Sequence, residues 1–201
     1  SGLELRMLAH YMNDKEYTNE ILNGDIHSAN QRLAGLESRN QAKTFIYAFL
    51  YGAGNAKLGS VAKSGQARGK QLREQFLNSV PSLKSLVGRV QRESKKGFLK
   101  GLDGRKISIR SEHAALNSLL QSAGAIVMKE ALVVLDKNLK GLDAQFVANV
   151  HDEWQIECSA GDADKVGKLG VEAIITAGKN LNLNCPLDGD YNIGDGWHET
   201  H

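Results

Sequence analysis

The sequence predicts an α+β fold: a mainly helical lobe, then a small antiparallel sheet. Three observations carry this. Apolar residues recur at helical spacing, with caps and glycine stops, through most of residues 3–97. Proline, which would break helices, occurs only twice in 201 residues. Two hairpin-like signals then follow, at Asp103-Gly104 and at His151-Asp152-Glu153.

The elements justify this in order. Leu5, Leu8 and Met12 form one apolar stripe of a helix that is already under way at the first residues, and Glu4 falls off the stripe. No strand or cap precedes it, so the chain reads as a domain entered part-way. A short helix is expected over Tyr17 to Leu22. Asn23-Gly24-Asp25 ends it, and Asp25 caps a third helix through His27, Asn30 and Leu33 to Gly35.

The next helix, Ser38 to Gly52, organises the rest. Ser38 stands at the N-cap with Gln41 three residues on, a capping-box spacing, and Gly52 is the stop. Arg39, Lys43, Tyr47 and Tyr51 are spaced by four. Each such step turns a helix by only about 40°, so they form one winding stripe, while Ala42, Phe45 and Phe49 lie mostly on another side. Cations near a helix N-terminus suit a polyanion, and rings one turn on suit a base or sugar. A solvated basic face with two core tyrosines fits the same spacing.

Short helices are expected at Lys57–Lys63 and Gly65–Leu77, and Ser82 is expected to cap another after Pro81. Residues 16–97 thus make a helical, basic lobe. Then the texture changes. Gly97–Leu102 and Arg105–Ile109 flank Asp103-Gly104 as a hairpin. Ser111 is expected to cap a long helix, about Glu112 to Leu139, apolar on most sides and hence buried. Asn117 and Gln121 sit one turn apart on it, a pattern that by itself suits a surface or satisfied amide pair. Phe146–Val150 and Trp154–Cys158 read as buried strands around His151-Asp152-Glu153. Acids at the tip of apolar strands are costly unless neutralised, which points to a metal site, and a solvent-exposed acidic turn fits the same residues equally well. Asp162 opens a last helix to about Leu181, and Cys185–His201 is expected to add one short strand.

Charge divides the chain. Residues 39–110 carry 16 basic and 3 acidic side chains, a local net of +13. Residues 141–201 carry 3 basic and 11 acidic, a local net of −8. The first block points to a polyanionic partner and the second to cations, metal ions among them. Cys158 and Cys185 are isolated, fit no metal spacing and are expected to be reduced. No run approaches the roughly 18 apolar residues of a membrane span, and no segment resembles a signal peptide. A cytoplasmic protein without a membrane partner is the expectation.

Three blocks occur in an order that resembles the family A DNA polymerases, most of all the replicative enzymes of short-tailed phages. Glu4-Leu5-Arg6-x-Leu8-Ala9-His10 is similar to the later part of that family's motif A. Arg39-x-x-x-Lys43-x-x-x-Tyr47-x-x-x-Tyr51-Gly52 is similar to motif B, and His151-Asp152-Glu153 to motif C. Gly24-Asp25-Ile26-His27, Asp103-Gly104-Arg105 and the Asn117/Gln121 pair also resemble the family. The resemblance covers essentially the whole chain. It implies part of the right-hand polymerase fold: helical fingers over 16–97, and palm over 1–15 and 98–201.

The resemblance also implies roles. Arg39 and Lys43, with His27 alongside, would hold the triphosphate of an incoming deoxynucleotide. Tyr51 would stack near the nascent pair. Tyr47 would sit where tolerance of a sugar lacking its 3′-hydroxyl is set. Glu4 would pack with Tyr51 and exclude a ribose 2′-hydroxyl. Asp152 would ligate catalytic Mg2+ supported by Glu153, and Lys43 joins them as a catalytic residue. Arg105, Asn117, Gln121, His151 and Gly52 would contact primer–template DNA. His113 stands where many relatives carry Arg.

Two magnesium ions would serve phosphoryl transfer, which needs positioning and charge neutralisation more than covalent work. The family's first metal-binding Asp lies two residues before the counterpart of Ser1. The expectation is therefore a C-terminal piece of a split, cleaved or truncated polymerase, or one following an intein junction. It would be inactive alone and would need an N-terminal partner carrying the thumb and remaining palm. A processivity factor is a further candidate partner. Two rivals stand beside this. A non-catalytic nucleic-acid-binding fragment would not need the acidic tip. A single-subunit RNA polymerase fragment would not want Glu4. The polymerase expectation requires Asp152 and the Arg39/Lys43 face to share a nucleotide-sized cleft.

Overall fold

The computed structural model describes residues 2–201; Ser1, the first residue of the expected palm segment 1–15, lies outside them. Helix α1 (Leu3–Met12) buries Leu5, Met7, Leu8, Ala9 and Met12. Asp14 then caps α2 (Lys15–Asn23) by accepting from the Tyr17 amide at 3.0 Å. Asp25 caps α3 (Ile26–Ala34), which ends on Gly35 in the left-handed region at φ 68°.

Helix α4 (Arg39–Leu50) starts where its hydroxyl cap predicts: Ser38 Oγ accepts from the Gln41 amide at 3.2 Å. The return half of the capping box differs by one residue, because Gln41 Oε1 accepts from the Glu37 amide instead. At the other end Gly52 has φ 77°. Its amide donates to the Phe49 carbonyl and that of Ala53 to Ala48. This pair of bonds is a Schellman stop, which needs a residue without a Cβ penalty in the left-handed region.

Helices α5 (Asn55–Val61), α6 (Gln66–Ser79) and α7 (Pro81–Ser94) complete the first lobe. Phe76 of α6 meets Phe45 and Phe49 of α4 edge-on, with ring centroids 5.6 and 5.7 Å apart. Strands β1 (Phe98–Lys100) and β2 (Lys106–Ser108) pair antiparallel, with Leu99 opposite Ile107. Helix α8 (Ala115–Asn138) follows one 3-10 turn, and β3 (Ala144–Val150) pairs antiparallel with β4 (Glu153–Cys158). Then come α9 (Ala163–Asn180) and a short α10 (Trp197–Thr200).

One continuous core runs from Leu5 through Phe45, Phe49 and Leu72 to Leu120 and Val127. A smaller core joins Leu135 and Leu139 of α8, Val166 and Ala173 of α9, and the flanks of Trp154 and Ile156. Helix α8 thus spans both cores, which is why its apolar face is so broad.

Several sequence expectations are corrected. Ser82 does not cap α7; Pro81 takes the first helical position, and Ser82 Oγ donates to Asp14 Oδ2 at 2.6 Å. Ser111 makes no capping bond, and the helix after it opens as a 3-10 turn. The tail is irregular and ends in α10 rather than a strand. The hairpin strands are not buried on both faces: Phe146 and Val147 are exposed at 37% and 65%. Residues 112–138 are, by length and mean hydropathy, enough to cross a membrane. That apolarity serves packing against neighbouring helices, since Leu116, Leu119, Leu120, Val127 and Leu135 are buried. Cys158 and Cys185 are both free thiols, as expected.

Candidate functional site

Helices α3 and α4 bring the candidate cations together. Arg39, Lys43 and Tyr51 are exposed, whereas Ala42, Phe45, Ile46 and Phe49 are buried. Arg39 Nε donates to Asp25 Oδ2 at 2.7 Å. The same carboxylate caps α3 through the His27 and Ser28 amides and accepts from Ser28 Oγ. The Arg39 bond, then that of Ser28, holds the Asp25 carboxyl far below the usual carboxylate range. The His27 ring lies 6.2 Å from that of Tyr47. Burial first, then the Arg39 charge and that of Lys43, lowers His27 below 6.5, so the ring is neutral at pH 7. Its Nδ1 is buried without a hydrogen-bond partner.

A second group lies where α1 crosses α8. Gln121 Nε2 donates to Glu4 Oε1 at 3.2 Å, across 117 residues of sequence. The end of α4 also meets this region. A Cβ on Gly52 would stand 2.2 Å from the His113 carbonyl oxygen. Arg105 is tied within its own turn, with Nε 2.8 Å and Nη2 2.6 Å from Asp103 Oδ2.

The third group is the acidic hairpin. Four non-glycine residues among those described have positive φ: Asn13, Lys63, Asn182 and His151. The first three follow the ends of α1, α5 and α9. His151 (φ 55°) alone sits in a hairpin, as the first of two turn residues. Such a conformation costs a side-chain-bearing residue on the order of 1 kcal/mol. Asp152 beside it is exposed and engaged by no hydrogen bond or ion pair among the described residues. Glu153 is gripped: Gln155 Nε2 donates to Oε1, and His201 Nδ1 lies 3.1 Å from Oε2. The Gln155 bond, with a smaller contribution from His201, holds the Glu153 carboxyl below its ordinary range. No group of three or more His, Cys, Asp or Glu side chains among the described residues is arranged to hold a metal ion.

These positions match a known pattern along nearly the whole chain. The family model for DNA polymerase family A matches residues 1–199. The chain belongs to the family A DNA polymerases. It is 43% identical over 228 residues to the DNA-directed DNA polymerase of Enterobacteria phage T3, covering 100% of this chain and 32% of that protein. The polymerase of Escherichia phage T7 is likewise 43% identical, again over 100% of this chain and 32% of the relative. DNA polymerase I of Aquifex aeolicus is 31% identical over 98% of this chain and 38% of its own length. The chain therefore spans about a third of the length of the curated relatives it matches. Among solved structures, the POL domain of Pol1 from M. smegmatis, described in complex with DNA primer-template and dNTP, is similar with a TM-score of 0.82 at 25% identity. The match covers 94% of this chain and 37% of that one.

Within this family A segment, the sequence had singled out Arg39, Lys43, Tyr47 and His27, and the fold brings them to one place on α3 and α4. It also joins Glu4 to Gln121, which the sequence had left separate. Three participants were missed. Asp25 was read only as a cap, though its carboxylate also holds Arg39. Gln155 is a same-face neighbour of Glu153 two residues along β4 that strand alternation could have pointed to, whereas no local pattern marks His201, which closes on a carboxylate 48 positions away.

Proposed function

We propose that this chain is the fingers and later palm of a template-directed DNA polymerase that adds deoxynucleotides to a primer 3′ end. Residues 16–97 are the fingers, and 1–15 with 98–201 the palm. One observation carries the reading most. Arg39 and Lys43 stand exposed on the side of α4 away from its buried phenylalanines, beside a neutral His27, within a chain matched to the family over residues 1–199. Two cations one turn apart neutralise a triphosphate, and phosphoryl transfer gains mainly from such positioning and charge stabilisation. A neutral imidazole can donate one hydrogen bond there without competing for the charge.

Tyr47 and Tyr51, further along the same helix, suit the sugar and base. Glu4, steadied by Gln121, suits the exclusion of a ribose 2′-hydroxyl. Arg105, Asn117, Gln121, His151 and Gly52 suit contacts to the primer–template. Asp152 and the α4 cations would face one nucleotide-sized cleft. Replication in the cytoplasm of a bacterial host is the setting this implies, with phage polymerases among the relatives.

Divalent metal is part of the reading, yet the described residues do not form a two-ion site by themselves. A metal pair is normally bridged by carboxylates from different strands, and Asp152 is a single uncommitted one. The second carboxylate, the thumb and the remaining palm would come from polypeptide outside these 201 residues.

The experiment is reconstitution. The chain is combined with a polypeptide that supplies the missing first carboxylate, and primer extension on a DNA template is followed with deoxynucleotides. Extension is expected from the wild-type combination and not from Asp152→Asn. Extension by Asp152→Asn at the wild-type rate would remove this function.

A further inference from the structure

Two segments far apart in sequence are stitched together at the end of α1. Arg6 and His10 lie one turn apart on that helix. Arg6 Nη1 donates to the Pro186 carbonyl. The His10 carbonyl is one of the last-turn acceptors that a helix leaves without an internal partner. The Asn184 side-chain amide donates to it at 3.1 Å, and the Asn184 backbone amide donates to His10 Nδ1 at 3.0 Å. These bonds hold residues 182–187 on α1 as a strap. Its other side is fastened to α9. Cys185 and Leu187 are buried, and the Leu183 amide donates to the Gly178 carbonyl. A Cβ on Gly178 would stand 3.0 Å from Leu187 Cγ.

The bond to the ring dictates its protonation. A backbone N–H can donate only to a bare ring nitrogen, so Nδ1 carries no proton and the single ring proton is on Nε2. A charged ring would set one N–H against another and lose the strap. Two effects compete over that charge. The C-terminal end of a helix favours a cation. Burial disfavours one, and it pulls His10 below its ordinary 6.5. The amide aimed at Nδ1 acts in the same direction. The other ionisable groups around the joint are Arg6 and Tyr11 on α1, Asp14 and Lys15 at the start of α2, Arg89 of α7 and Cys185 on the strap. Asp14, the acid among them, is already engaged by the Ser82 hydroxyl and the Tyr17 amide.

We propose that His10 is a pH-operated catch: neutral, it holds residues 182–187 on α1, and protonated, it releases them. The catch belongs to the fold and is independent of the polymerase reading. A folded value below the ordinary one means that the hold is complete above about pH 6.5 and is lost as pH falls through the folded value.

The test is hydrogen exchange of the 201-residue chain, read peptide by peptide at pH 7.5 and 5.5, with His10→Asn as the comparison. Asparagine places a carbonyl oxygen about where Nδ1 stands and cannot titrate. Each rate is divided by that of His10→Asn at the same pH, which cancels the intrinsic pH dependence of exchange. For residues 182–187 this ratio should rise by about three- to tenfold between pH 7.5 and 5.5, while the ratio for α4 peptides stays constant. Asn184→Ala, which loses the side-chain bond and keeps the backbone one, should exchange faster at both pH values and still show the rise. By NMR, His10 should titrate below 6.5 and carry its neutral-state proton on Nε2.

Four results overturn the catch. One is a ratio for 182–187 that is the same at both pH values, whether or not His10→Asn is itself destabilised. Another is an equal rise in the α4 peptides, which would mean general acid unfolding. The third is a His10 ring that titrates at or above 6.5, which would show the helix end prevailing. The fourth is a neutral ring with its proton on Nδ1.

Discussion

Replacing Gly52 by alanine tests how α4 is joined to the rest of the fold. Gly52 ends the helix at φ 77°, just after Tyr51. Placing an alanine in the left-handed region costs about 1–2 kcal/mol. The new methyl would also fall 2.2 Å from the His113 carbonyl oxygen and 2.9 Å from its carbon. That neighbour is backbone, at the 3-10 turn opening into α8, so it has little freedom to move aside. Overpacking of this kind costs typically about 1–3 kcal/mol. The total is about 2–5 kcal/mol, and for a chain this long each kcal/mol moves Tm by about 2–4 °C.

Gly97 separates the two contributions. It has φ 81° and nothing within 4 Å of an added Cβ, so Gly97→Ala measures the conformational cost alone. Urea denaturation and thermal melts of wild type, Gly97→Ala and Gly52→Ala give both numbers. Gly52→Ala should be the less stable variant by at least about 1 kcal/mol. Equal destabilisation of the two would mean that α4 does not end against the His113 backbone, and the packing argument would fail.

Two further outcomes follow from side chains whose partners are distant. Tyr17→Phe removes the hydroxyl that donates to Asn30 Oδ1 at 3.2 Å inside the core. Asn30 is fully buried, so an unpaired carbonyl there should cost about 1–3 kcal/mol, read as a lower urea midpoint; an unchanged midpoint would argue that water reaches the amide. Asp14 is held below its ordinary 3.8, mainly by the Ser82 hydroxyl. A depressed folded value means stability that is complete above the ordinary value and lost as pH falls through the folded one. The stability gap between wild type and Ser82→Ala should thus be widest at neutral pH and close toward about pH 2. A gap constant across that range would detach Ser82 from the ionised carboxylate.

Much of the fold is legible in the sequence because its signals are local. Asp25, Ser38 and Gly52 each satisfy or end a helix through backbone groups within a few residues, so their types and spacing suffice to place α3 and α4. Asp103-Gly104 places the first hairpin for the same reason. The failures share a cause as well. Ser82 and Ser111 look like caps, but a hydroxyl takes whichever acceptor the fold brings nearest, and for Ser82 that is Asp14, 68 positions away. Cys185–His201, a Gly- and Asp-rich tail with Trp197, was expected to add a strand, yet among the described residues each sheet has two strands and the tail pairs with neither.

The candidate site divides along the same line. The sequence alone determined the cationic stripe on α4, the acidic tip at Asp152 and the family whose motifs these resemble, because helix periodicity and motif spacing are properties of the chain itself. Only the tertiary structure decided that Arg39 is held by Asp25, Glu4 by Gln121, and Glu153 by Gln155 and His201. Most of those pairs join separate elements. Such a partnership exists only once apolar burial has fixed the elements relative to one another, and apolar burial is blind to which charged tips it brings together.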